Sequence, residues 1–84
     1  MTGIKVTIKL FARLREVVGT NELERELNDG ATVDDLLKVL QAEFPRLTDL
    51  SAPTIISVNQ EFATPDSPLH DGDEVACIPP VGGG

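Results

Sequence analysis

The chain lacks a second cysteine, a second histidine and any apolar run approaching the ~20 residues that span a bilayer. With Cys77 alone there is no internal disulfide, and Met1-Thr2-Gly3 leads straight into alternating Ile-Lys-Val-Thr instead of a signal peptide's apolar core. The expectation is a protein of the reducing cytoplasm with no membrane partner. Positive charge is scarce too: fourteen acidic residues against seven basic ones give a formal charge of −7. Nucleic-acid phosphates and anionic membranes repel such a surface, so a basic protein partner is expected and nucleic acid is not.

One histidine offers one nitrogen ligand, so His70 beside Asp71, Asp73 and Glu74 reads as an Asp-Gly turn and no metal is expected. Cys77 falls on the apolar face of a strand, which suits an inert core thiol better than a nucleophile. No Ser-His-Asp arrangement has an orienting shell, and no glycine loop sits between a strand and a helix to cradle phosphate. No bound cofactor is expected, and the isolated polypeptide reads as non-catalytic.

What is present is one small domain. At 84 residues the chain removes roughly 60% of its extended surface from water on folding, enough for a single modest core. There are no internal repeats. Ile4, Val6, Ile8 and Leu10 alternate with polar residues as a strand with one buried face, and continuing that alternation turns Phe11 away from the core. Ala12 to Val18 reads as a short helical turn stopped by Gly19. Asn21 to Leu27 places Glu22, Glu24 and Glu26 on one face and suits a charged edge strand; a helix fits it less well.

Asn28-Asp29-Gly30 marks a turn, and Thr32 with Asp35 forms a capping box that uses the shorter acid. Val33, Leu36, Leu37, Leu40 and Phe44 then recur at helical spacing until Pro45. Residues 46–53 read as a loop, Thr54 to Val58 as a β-branched strand, Asn59-Gln60 as a turn, and Phe62 as part of a short strand. After the His70 to Asp73 turn, Glu74 to Ile78 is the last strand. Its Val75 and Cys77 take the core face, and Ile78 joins Glu74 and Ala76 on the outer face. This order gives an α+β roll over residues 1–78 with the most apolar strands, first and last, at the centre.

Residues 79–84, Pro79-Pro80-Val81-Gly82-Gly83-Gly84, form a tail that no core can use. Glycine-rich termini are commonly disordered ends or cloning scars, but here the adjoining strand and prolines tie the glycines to the domain. Pro79-Pro80 favours an extended stem, and glycines beyond it are slim enough to thread a narrow channel and flexible at the tip.

The segments Phe11-Ala12-Arg13-Leu14-Arg15-Glu16, Val58-Asn59-Gln60-Glu61, Pro68 to Ala76 and the Pro-Pro-Val-Gly-Gly-Gly end together resemble the small subunits of molybdopterin synthase, ubiquitin-like sulfur carriers of the MoaD type. The resemblance covers nearly the whole chain. It implies a ubiquitin-like β-grasp, a mixed sheet packed on one main helix. It also implies that the Gly84 carboxylate is adenylated by an E1-like adenylyltransferase using ATP, then converted by a sulfurtransferase's sulfur into a thiocarboxylate. The large synthase subunit would use that sulfur to build the molybdopterin dithiolene. By the same resemblance Phe62 joins Phe11 and Ile78 as partner-binding residues. Gly82, where the family often has Ser, Thr or Ala, and Cys77-Ile78, where bulky aromatics are frequent, depart from the pattern. Related roles are a carrier for thiamine thiazole synthesis and a modifier joined to lysines through Gly84; the Phe-Ala-Arg-Leu-Arg segment favours molybdopterin over thiamine.

Overall fold

The computed structural model describes residues 3–47 and 54–78, and the elements follow the order read from the sequence. Strand β1 (Gly3–Leu10) buries Ile4, Val6, Ile8 and Leu10 and leaves the alternate side chains in contact with water. Ala12 stands at φ 52, a left-handed value that costs an alanine roughly 1–2 kcal/mol, where the chain swings from β1 into helix α1 (Ala12–Val18). That helix ends at Gly19, whose φ of 94 is free of cost only for glycine and whose N–H donates to the Arg15 carbonyl.

Strand β2 (Glu22–Asn28) then runs antiparallel to β1 along the sheet's edge, as its charges suggested. Helix α2 (Val33–Glu43) begins with a complete capping box: the Asp35 N–H donates to the Thr32 hydroxyl, and the Thr32 N–H donates to the Asp35 carboxylate. Aspartate closes the box although glutamate is the usual partner. Val33, Leu36, Leu37 and Leu40 are buried on one stripe, each worth roughly 1.5–3 kcal/mol over exposure. Leu47, just past the helix, is also buried, a core residue that the loop reading of 46–53 did not single out.

Strands β3 (Ile55–Val58), β4 (Glu61–Phe62) and β5 (Glu74–Ile78) complete a five-stranded sheet in the order β2-β1-β5-β3-β4. β1 and β5 pair in parallel and every other neighbour is antiparallel, so the sheet is mixed. The two most apolar strands lie side by side with β5 at the centre, as their composition requires. One core cluster joins the inner faces of β1 and β5 to α2, Leu14 and Leu69. The result is a β-grasp, a mixed sheet clasping one main helix, with α1 as a small addition. The tail 79–84 lies outside the described residues.

The capping box yields a direct expectation. Thr32→Ala should lower unfolding stability by about 1 kcal/mol, read from the urea midpoint with an unchanged slope. A loss below a few tenths of a kcal/mol would show that α2 is held by packing alone.

Candidate functional site

Because α2 covers one face of the sheet, residues of the other phase along each strand share the open face. Register assigns them. Lys9 lies opposite Glu22 on one side and Ala76 on the other, Ala76 opposite Ser57, and Ser57 opposite Phe62, so one row crosses the whole sheet. Ile55 lies opposite Ile78 in the next row of the same phase. Phe62 and Ile55 are therefore diagonal neighbours, a relation that sets side chains roughly 7–8 Å apart, within an aromatic's reach.

Among the described residues the exposed large apolar side chains are Phe62 at 88%, Phe11 at 45% and Ile55 at 40%. Ile78 is half-buried beside Ile55. Alternation placed Phe11 and Ile78 away from the core and the family resemblance added Phe62, and each is at least partly exposed. Phe11 arrives by a different route from the one expected: β1 ends at Leu10, and Phe11 is the extended residue that precedes α1. Ile55 was missed. Its Ile-Ile-Ser-Val strand does not alternate, so only pairing with Ile78 reveals its face.

The other half of the open face is charged. Glu22, Glu24 and Glu26 on β2 stand opposite Lys9, Thr7 and Lys5. Lys9 Nζ meets Glu74 Oε2 at 2.8 Å, and this hydrogen bond holds the exposed ammonium above its usual pKa range. Glu74 thus has a partner on the outer face that the core could not give it.

The His70–Asp73 turn is structural. Asp71 Oδ1 accepts the Lys5 N–H at 2.8 Å, and Asp73 Oδ2 accepts the His70 N–H at 2.8 Å. Cys77 is fully buried, and burial pushes its thiol up to about 12. It therefore stays protonated and inert at neutral pH. Among the described residues no helix is long and apolar enough to cross a membrane. Gly84, Gly83, Gly82, Val81, Pro80 and Pro79 lie outside the described residues; in sequence they follow Ile78 directly, at the border of the apolar patch.

Known proteins share the sequence pattern and the fold. The profile described as the ThiS family matches residues 8–84. The molybdopterin synthase sulfur carrier subunit of Chlamydomonas reinhardtii is 42% identical, over 96% of this chain and 100% of that one. The crystal structure of SAMP1 from Haloferax volcanii superposes with a TM-score of 0.85 at 32% identity, covering 95% of this chain and 99% of that one. A ubiquitin from Caldiarchaeum subterraneum, 21% identical with a TM-score of 0.67 over 98% and 99% of the two chains, shares the fold alone.

Cys77 supplies the test of the buried face. The native protein should resist a thiol reagent at pH 8 and react promptly in urea. Its raised pKa means that the unfolded chain loses the proton first. The stability it contributes is therefore complete below the ordinary thiol range near ~8.5 and is lost as pH rises through about 12. Cys77→Ser should flatten that alkaline decline; native-state labelling at the unfolded rate would place the thiol at the surface.

Proposed function

The chain belongs to the ThiS family, and from that membership we infer that it is a sulfur carrier protein, the small subunit of a molybdopterin synthase. The observation that carries the reading is identity of 42% along the full length of a molybdopterin synthase sulfur carrier subunit. The domain presents a docking face and the tail carries the reacting group, so the isolated chain needs no catalytic pocket. Catalytic side chains come from its partners.

The chemistry requires Gly84 to hold a free carboxylate. A carboxylate resists nucleophiles until it has a leaving group. An E1-like adenylyltransferase supplies one: a carboxylate oxygen attacks the α-phosphorus of ATP, pyrophosphate departs, and an acyl-adenylate forms. The outer sulfur of a sulfurtransferase persulfide then attacks the carbonyl carbon and AMP leaves; a second thiol attacks the inner sulfur of the resulting acyl disulfide, is oxidised with it to a disulfide, and the thiocarboxylate departs. Held in the large synthase subunit, that sulfur is a nucleophile at high effective concentration for building the dithiolene of molybdopterin from a cyclic pterin precursor. In this reading Gly83, Gly82 and Val81 would serve as the slim approach of the terminus and Pro80 and Pro79 as its stem. Cytoplasm, where ATP is available and thiols stay reduced, suits the reaction.

Phe11, Phe62, Ile78 and Ile55 form the partner-binding patch beside the tail. Grouped exposed apolar side chains at one sheet end commonly mark such a site. A second reading, a protein modifier joined to lysines, is favoured by the likeness to SAMP1.

Incubation with the E1-like enzyme, ATP and a sulfur donor should raise the intact mass by the difference between a sulfur and an oxygen atom. A chain lacking Gly84 is shorter by roughly 3.5 Å and should fold normally with no such gain. Equal thiolation and cofactor synthesis by the truncated chain would overturn the reading, and adducts from native cells that survive reducing denaturation would bring the modifier forward. For the docking face, Phe62→Asp should weaken binding of the large subunit while stability changes by no more than about 0.5 kcal/mol. Intact binding with a large drop in melting temperature would sink the patch.

A further inference from the structure

The most exposed side chain of the patch stands on the least supported strand. β4 is two residues long and pairs only with β3, at the edge of the sheet. Two paired residues are too few to hold a hairpin in one place. Phe62 is 88% exposed and so has few neighbours of its own to fix it. Where the ring stands is set by what holds the β3–β4 hairpin.

β3 is held to β5 by its own ladder from Ile55 to Val58, and at the tip, where that ladder ends, the hold comes from Asn59. Its side-chain Nδ2 donates to Asp73 Oδ1 at 2.9 Å, and its Oδ1 accepts the Glu74 N–H at 3.0 Å. Its backbone N–H donates to the Glu74 carbonyl at 2.8 Å. Asp73 is itself tied down: its Oδ2 accepts the His70 N–H at 2.8 Å, and its carbonyl accepts the Thr7 N–H at 2.9 Å. A continuous path of hydrogen bonds thus runs from the hairpin tip through Asp73 to β1. The bond to the carboxylate is charge-assisted and among the stronger kinds.

Asparagine suits the position on two counts. Its φ of 53 is left-handed, a region that Asn enters more readily than most residues. Its amide offers a donor for the carboxylate and an acceptor for the N–H at once. Aspartate would set two carboxylates face to face, and glycine would keep the turn but lose the clasp.

We propose that Asn59 is a positioning residue for partner docking: by clasping the β3–β4 hairpin to Asp73 and Glu74 it sets where Phe62 stands on the open face. This rests on the reading of that face as the docking surface for the large synthase subunit. The role is distinct from contact, since Asn59 acts through Phe62.

The test uses the full-length Asn59→Gly variant, which keeps the left-handed turn, with two readouts. In the free protein, hydrogen exchange is followed at the Ala63 N–H, which donates to the Ile56 carbonyl across the hairpin at 2.9 Å. Loss of the clasp should speed that exchange roughly tenfold while the Ile8 amide in β1 keeps its protection. In the complex, affinity for the large subunit is measured for Asn59→Gly, Phe62→Ala and the double variant. Asn59→Gly should weaken binding several-fold when Phe62 is present and have almost no further effect when it is absent. Unchanged exchange at Ala63, or the same fold-loss with and without Phe62, overturns the positioning role while leaving the docking face standing. Full affinity in Phe62→Ala overturns the docking face itself and the positioning role with it.

Discussion

Burial of one sheet face beneath α2 is the constraint on which the rest of the molecule depends. Side chains on a strand alternate with a period of two, so sealing Val6, Ile8 and Leu10 of β1 and Val75 and Cys77 of β5 inside obliges the alternate residues to face out. A slip of one residue in register would exchange the two sets. The open face is thus the necessary complement of the core, and its content is whatever the sequence writes in the other phase.

That content is divided. Toward β2 it is a ladder of Glu22, Glu24 and Glu26 against Lys9, Thr7 and Lys5, and toward β3 and β4 it is Ile55, Ala76, Ile78 and Phe62. The Lys9–Glu74 pair lies at the border between the two halves. Carboxylates along an edge strand discourage pairing with another chain, so β2 is protected by charge and β4 by being too short to template anything. What remains open to a partner is the apolar half of the face.

Much of this was legible in the sequence because the decisive signals are local. Alternation in β1, Thr32 with Asp35 at the start of α2, Gly19 at the end of α1 and the phase of Glu74 to Ile78 are each contained within a few neighbouring residues. The unread features depend on distant ones. Ile55 sits in a strand without alternation, so its face is decided by register with Ile78, and Leu47 becomes core only when the chain leaving α2 folds back against it. The Asn59 clasp joins residues fourteen positions apart that the sequence shows only as two separate turns. Local pattern assigns a side chain to a face; which faces and turns meet is a property of topology.

Topology also bears on the tail. β5 is the middle strand, hydrogen-bonded to β1 on one side and β3 on the other, so residue 79 follows directly on a strand held from both sides. From Ile78 the six residues 79–84 reach at most roughly 20 Å even when fully extended. A partner that acts on Gly84 must therefore bring its reactive centre within that radius of the end of β5. The apolar patch lies inside the same radius, because Ile78 belongs to it. On the proposed carrier role, docking on the patch and delivery of the terminus would be coupled by chain length: a partner seated elsewhere, for instance over α2, would have to reach around the sheet. Each tail residue added would relax this coupling and each one removed would tighten it.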